Sequence, residues 1–212
     1  MQAESGEWTL MIAGSRLEPG SAPSSDDTTE LLRQAKAGSN SAFEQILLLH
    51  QRQVLMTSLR LLGDLKDAQD AGQEVFLRLF KYLHRFDDTR AFRPWLYRMT
   101  VNVCRDIQRK RQKTTMLSLE DIHQRGGLME PVSSLDLEAD LSLSEKRKLV
   151  SEALKKLPEK ERAAVVLRDI EGLSTREVAR ILGSSEVTVR SQVSSARIKI
   201  KKFIEKVQKK QP

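Results

Sequence analysis

Cysteine is almost missing from this chain: Cys104 stands alone. One thiol makes no internal disulfide and excludes a Cys-rich zinc site. Histidine is nearly as scarce, and His50, His84 and His123 are scattered, so no metal cluster or nucleophile–base pair can be read from them. No Gly-x-x-x-x-Gly-Lys-Ser/Thr phosphate loop occurs. The chain therefore reads as a non-enzyme with no cofactor. No run of 18 apolar residues exists, so no membrane span is expected. The start, Met1-Gln2-Ala3-Glu4, has no basic stretch leading into an apolar core and does not read as a secretory signal. The cytoplasm is the expected compartment. Aromatics are 5% of residues, with 10 glycines and 6 prolines. Sparse helix breakers, with few β-branched runs before the last third, favour an all-α fold.

What the chain does have is positive charge and helical periodicity. Its 212 residues carry a formal net charge of +7, which steers it toward polyanions: nucleic acid first, an anionic membrane surface second. Residues 1–26 are rich in Ser, Gly, Pro and acids, with a short apolar patch at Trp8, Leu10, Met11 and Ile12. They read as a disordered extension. A first module is expected over 27–113. Asp27 and Glu30 have capping-box spacing, and Gly38 stops that helix. Ser41 and Glu44 repeat the cap. A long amphipathic helix follows on Phe43, Leu47, His50, Val54, Ser58 and Leu61, ending at Gly63-Asp64. A third helix, from about Asp67 to Leu83, turns Ala68, Ala71, Val75, Leu79 and Tyr82 inward. A fourth begins near Pro94, where a missing N–H costs nothing.

From Thr114 to Glu145 there are seven acids against one base, Arg125, together with Gly126-Gly127 and Pro131. Residues 114–143 read as a flexible acidic linker. A second module is expected over 144–207, with a basic tail at 208–212. Within it, Ser174 and Glu177 cap a short helix that Gly183 breaks, and another begins near Ser184 or Ser185. Ala179, Gly183 and Val189 have the spacing of a helix-turn-helix: a small residue at the crossing, a glycine in the turn, a β-branched anchor. Val189, Val193, Ala196, Ile200, Phe203 and Val207 are the expected buried stripe of the last helix. Arg190, Ser191, Ser194, Arg197 and Lys201 fall mostly outside it. Hydroxyls and arginines near a helix start suit base edges and phosphates in a major groove. Two helices of an ordinary bundle with a solvated basic face would share much of this pattern.

The helix after Pro94 is less ordinary. Arg98, Asn102, Arg105 and Arg109 fall at 4-3-4 steps on one face, with Trp95 and Tyr97 near the start. Rings that stack, an amide that reads an edge and arginines that hold a backbone suit unpaired bases. Trp95 taken alone is as well explained by core packing. On the preceding helix Asp70, Gln73 and Glu74 form an acidic patch, readable as a site for a basic protein partner or as a plain solvated face.

These segments together resemble the small two-domain bacterial sigma factors called extracytoplasmic-function sigma factors. Asp67-Ala68-Gln69-Asp70-Ala71-Gly72-Gln73-Glu74-Val75-Phe76-Leu77-Arg78-Leu79 is similar to the family's second conserved region. The resemblance implies that Asp70, Gln73 and Glu74 grip the β′ clamp of core RNA polymerase. Arg93-Pro94-Trp95-Leu96-Tyr97-Arg98, with Asn102 and Asp106, resembles the segment that melts and reads the −10 promoter element. It implies contacts from Trp95, Tyr97, Arg98, Asn102, Arg105 and Arg109. Leu157-Pro158-Glu159-Lys160-Glu161-Arg162 through Ser174 resembles the start of the fourth region, which meets the β flap. Thr188-Val189-Arg190-Ser191 resembles the core of the −35 recognition helix, implying Thr188, Arg190, Ser191, Gln192, Arg197 and Lys199 as DNA contacts. An anti-sigma factor is the expected inhibitor. Gln69, Val187, Gln192 and Ser195 depart from the family pattern and leave the preferred −35 sequence open.

Rival readings remain at this level. A helix-turn-helix regulator that binds duplex DNA alone would account for 174–201 but not for the aromatic-basic helix. A protein-only adaptor built on the acidic patch sits poorly with the net charge.

Overall fold

The computed structural model describes residues 25–118 and 141–209, all helices and turns. The first module contains α1 (Ser25–Lys36), α2 (Asn40–Leu62), α3 (Leu65–Tyr82) and α4 (Phe92–Ser118). The second contains α5 (Leu141–Lys155), α6 (Glu159–Val165), one π-helical turn (Val166–Ile170), α7 (Thr175–Leu182) and α8 (Glu186–Gln208).

Local chemistry explains most of the boundaries. Ser39 caps α2 by accepting from the Ala42 N–H, so the cap lies two residues before the expected Ser41. Asp64 caps α3 through the Asp67 N–H. Gly63 closes α2 at φ +75°, a left-handed conformation that costs glycine least. Pro94 lies in the first turn of α4, which starts two residues earlier than expected, at Phe92. Ser174 and Glu177 make a complete capping box on α7. The 114–143 linker is shorter than its composition implied, because α4 runs on to Ser118 and α5 starts at Leu141; the rest of that span, like the 1–24 extension and the end of the tail, lies outside the described residues.

The core follows the helical stripes with small shifts. Ala68, Ala71, Val75 and Leu79 are fully buried on α3, and Tyr82 only partly. On α2 the buried set is Ala42, Ile46, His50, Val54, Thr57, Ser58, Leu61 and Leu62. Phe43 and Leu47 are half-buried, their expected places taken by Ala42 and Ile46. On α8 the stripe ends at Ile204, with Phe203 and Val207 half-buried. The 4-3-4-3 series follows a 3.5-residue period, and a straight helix at 3.6 drifts off it. Truncating a residue such as Leu79, at 0% exposure, costs about 2–5 kcal/mol.

The buried residues of both modules form one continuous cluster. Within it, α4 is buried on two sides. Leu96, Thr100 and Val103 lie on one side. Tyr97, Val101 and Cys104 are also buried, and Val101 and Cys104 line a small gap shared with Glu159 and Ala163 of the second module. Arg162 reaches across as well, donating to the Leu61 carbonyl at 2.8 Å and to its own module's Leu157 carbonyl at 2.9 Å.

Candidate nucleic-acid interface

The exposed face of α4 carries Arg98, Asn102 and Arg109. Successive spacings of four and seven residues keep them on one side of the helix. Arg109 lies 3.9 Å from Asp106, a loose pair that leaves its guanidinium available to a phosphate. Trp95 is half-buried at the start of the helix. Its ring stacks obliquely on Phe86 at 5.0 Å and Phe92 at 6.0 Å, and Phe86 meets Phe92 edge-on at 5.7 Å. One side of Trp95 is thus braced by core aromatics. That arrangement suits a platform held rigid beside the exposed Arg98.

Two expected contacts are placed elsewhere. Tyr97 is 3% exposed and donates to the Glu171 carboxylate of the second module at 2.6 Å. Burial, with the Glu171 charge next in weight, pushes its phenol far above the ordinary value. Arg105 turns toward the same module and lies 3.6 Å from Glu159. These two side chains share the flank of α4 that the second module covers.

On α3, Asp70 and Gln73 are exposed and Glu74 is half-buried. Glu74 accepts from Arg78 at 2.6 Å, and Arg78 reaches on to Asp106 of α4 at 3.1 Å. This bridge lines an open groove of about 600 Å³ between α3 and α4, with Asp70, Lys110 and Arg111 along its walls. Sequence reasoning missed the apolar part of this face. Leu77 and Phe80 are 66% and 62% exposed, and Asp70, Gln73, Leu77 and Phe80 form one 3-4-3 row. The signal was in the periodicity: once residues 68, 71, 75 and 79 are inside, Leu77 and Phe80 fall outside. Phe80 meets the half-buried Phe43 edge-on at 5.1 Å. The row is thus polar at one end, with Asp70 and Gln73, and apolar and exposed at the other, with Leu77 and Phe80.

In the second module, Gly183 takes φ +66° with open space where a Cβ would project, so the turn needs glycine for its backbone and not for room. Ala179 is buried at the helix crossing, and the Ser184 N–H bonds its carbonyl at 3.0 Å. Ser185 caps α8, accepting from the Thr188 N–H at 3.1 Å and meeting the Thr188 hydroxyl at 2.8 Å. Thr188, Arg190 and Ser191 are exposed on the first turns, and Arg190 is held loosely by Glu186 at 3.3 Å. Beside them Val187 is 70% exposed. Gln192 is half-buried, with its carbonyl oxygen enclosed and without a hydrogen-bond partner.

Arg197 and Lys199 sit differently from the helix tip. Arg197 grips Asp169 of the π-helical turn with two hydrogen bonds, at 2.9 and 2.7 Å. Lys199 pairs with Glu161 of α6 at 2.7 Å, and the Ser195 hydroxyl shares that carboxylate at 3.1 Å. Both basic side chains fasten α8 to its own module.

Residues 46–114 match the family model Sigma-70 region 2, and residues 147–200 match Sigma-70, region 4. The chain is 30% identical over 177 residues to the ECF RNA polymerase sigma factor SigW of Bacillus subtilis, covering 81% of this chain and 93% of that one. It is 31% identical over 175 residues to SigM of Mycobacterium tuberculosis, covering 82% and 83%. Among solved structures it is similar to CnrH in complex with the cytosolic domain of CnrY: TM-score 0.59, 28% identity, 85% of this chain and 98% of that one. No helix among the described residues is long and apolar enough to cross a membrane, and none of their His, Cys, Asp and Glu side chains cluster in threes that could hold a metal. The helix-turn-helix, the aromatic-basic α4 and these matches place the chain in one family: it belongs to the ECF RNA polymerase sigma factors, the non-catalytic subunits that bind RNA polymerase and promoter DNA.

Proposed function

We propose that three separate surfaces divide the work of initiation. The row Asp70–Gln73–Leu77–Phe80, with Glu74, docks on the β′ clamp of core polymerase. Its carboxylates steer a basic surface, and its bare apolar residues supply area to bury. The face Arg98–Asn102–Arg109, with Trp95 at its end, captures the −10 strand after separation. The tip Val187–Thr188–Arg190–Ser191 enters the major groove at −35.

The observation that carries this reading is the exposed face of α4. A duplex-binding regulator has no use for an asparagine flanked by arginines next to a braced tryptophan. A protein that must favour open DNA binds bases only once they leave the stack. The amide of Asn102 both donates and accepts, which suits a base edge. Arg98 and Arg109, on the same side of the helix, follow one backbone. Tyr97 acts as a brace beneath this face and not as a stacking ring. Arg197 and Lys199 hold the helix-turn-helix in shape, and recognition rests on the helix tip.

The similar CnrH was solved with the cytosolic domain of CnrY. For this chain the partner we propose is an anti-sigma protein, which keeps it from polymerase by covering the exposed α3 and α8 surfaces. The second module meets the β flap.

Replacing Asn102 by Ala tests the division. Polymerase binding and closed-complex formation are expected to persist, while promoter opening falls, as reported by a fluorescent base analogue in the −10 element. A pre-melted bubble restores much of the loss if nucleation is the defect. If Asn102→Ala and Arg98→Ala open duplex promoters as the parent does, α4 is scaffold and this assignment fails.

A further inference from the structure

Glu171 follows the π-helical turn of the second module, yet its carboxylate is buried in the first. One oxygen accepts from the Thr57 hydroxyl and from an Arg60 guanidinium N–H, each at 2.9 Å. The other accepts from the Tyr97 hydroxyl at 2.6 Å. The Gln53 side-chain amide donates to the Tyr97 oxygen and orients it. Arg93 lies at the rim, 5.9 Å above the Tyr97 ring, with one guanidinium nitrogen 3.5 Å from the Glu171 backbone carbonyl. The Glu171 side chain is 5% exposed and that of Arg60 is 12% exposed. Thr57 and Tyr97 are 0% and 3% exposed. Donors on α2 and α4 thus converge on one enclosed oxyanion position.

This arrangement is incompatible with the engaged state. The −35 and −10 elements lie roughly 25 base pairs apart, about 80 Å of duplex at ~34 Å per turn. A module of this size spans only about 30 Å. With Glu171 seated on α2 and α4, the recognition helix cannot reach −35 while α4 holds −10. The modules must part, and parting withdraws the carboxylate. What remains on the first module is a guanidinium and two hydroxyls held to shape by packing, with a second guanidinium at the rim. Donors of this kind favour a tetrahedral oxyanion as well as a carboxylate. Tyr97 and Arg93 lie one helical turn apart on α4, at the end that carries Trp95 and Arg98. A strand laid along the exposed face therefore passes close to this position.

We propose that Thr57, Arg60 and Tyr97, with Arg93 at the rim, form a phosphate site on the first module, plugged by Glu171 in the free chain and taken over by a backbone phosphate of the −10 strand once the modules separate. The proposal rests on the assignment of α4 to the −10 strand. The plug has a functional consequence: the free chain holds weak affinity for single strands, because its own carboxylate competes for the site.

The test uses the full chain reconstituted with core polymerase and a promoter selected for that holoenzyme from a randomised library. Single methylphosphonates, which remove one phosphate charge, are walked through the non-template −10 strand. One position is expected to weaken binding about tenfold in the parent and to cost nothing further in Arg60→Ala. The salt dependence of single-strand binding should fall by about 0.7 in log–log slope, the value of one phosphate on single-stranded DNA. Tyr97→Phe, which removes only a hydroxyl, should show a smaller loss at the same position. In the free chain without polymerase, Glu171→Gln should raise affinity for that single strand several-fold. If no position couples to Arg60 while the parent holoenzyme binds the strand normally, the phosphate site is refuted and the Glu171 cluster is a clasp alone. If Asn102→Ala also leaves strand binding intact in that experiment, the α4 assignment has failed instead.

Discussion

Arg197 and Asp169 are joined by a two-pronged ion pair, with Nε and Nη2 of the arginine on separate carboxylate oxygens at 2.9 and 2.7 Å. The Asp169 side chain is 11% exposed, and the hydrogen bonds it accepts raise the pKa of the Arg197 guanidinium above its ordinary value. This pair ties the last helix to the π-helical turn, well away from the helix tip. Arg197→Ala is therefore expected to lower the stability of the second module by about 1–3 kcal/mol. Thermal melting would measure this. The base preference of the surviving protein across −35 variants should stay unchanged. A shift in preference without a loss of stability would return Arg197 to the set of DNA readers.

Val187 presents an apolar side chain at the tip of the recognition helix, between Ser185 and Thr188. The natural complement in a major groove is the methyl group of thymine. Replacing single thymines of the −35 element by uracil removes only that methyl. One such replacement is expected to weaken binding roughly three- to fourfold, the value of one buried methyl group. Val187→Gly should abolish the difference between thymine and uracil at that position. Equal sensitivity in parent and variant would place Val187 outside the contact.

Leu77 and Phe80 continue the Asp70–Gln73 row of α3 as largely exposed apolar residues. Leu77→Asp should weaken association with core polymerase at least tenfold, since a carboxylate would then be desolvated in the contact. Its melting temperature should stay near that of the parent, because the side chain is already in water. Titration of labelled core polymerase separates the two effects. Unaltered affinity would confine the docking surface to Asp70, Gln73 and Glu74.

His50 is 3% exposed, packed on Phe92 at a ring distance of 5.2 Å, and its Nε2 has no hydrogen-bond partner. Burial, opposed by the Gln53 hydrogen bond and reinforced by the Arg93 charge, lowers its pKa from 6.5. The unfolded chain then binds the proton first. Stability is complete well above pH 6.5, falls as the pH drops below that value, and levels off beneath the lowered folded pKa. Denaturant unfolding from pH 8 to pH 5 should show this decline, and His50→Gln should flatten it. A decline of equal size in the variant would assign the effect to other groups.

Much of the fold was legible because it rests on local rules. The Ser174–Glu177 capping box, the Gly183 turn and the α3 stripe each depend on residues within two helical turns, and periodicity or spacing exposes them. The errors were also local in origin. Ser41 and Ser39 compete for one cap with the same chemistry, and a residue or two decides between them. A strict 4-3-4-3 series falls short on a long straight helix, which is how Phe203 displaced Ile204 in the expected stripe.

The site was legible in part. Charge and amide chemistry on one side of a helix are visible in the sequence, so the exposed face Arg98–Asn102–Arg109 followed from spacing. The same spacing put Arg105 in that row, and nearness to Trp95 put Tyr97 with it. Both instead face the second module. Arg197 looked available as a DNA contact because nothing within its own helix opposes it; its partner, Asp169, is 28 residues away.

The amino-acid sequence by itself determined the helices, their caps, the two-module order, the basic character and the helix-turn-helix, because each is a short-range consequence of side-chain chemistry. Only the tertiary structure decided which cations are spoken for and which side of α4 is covered. Glu171 lies 74 residues from Tyr97 and 111 from Arg60. No spacing rule reaches that far, since the position of one module's carboxylate in the other module's donors is set by how two folded surfaces pack. A helix buried on two sides carries no clean polar face in its sequence, and for α4 that second burial is set by Glu159 and Glu171 of the other module.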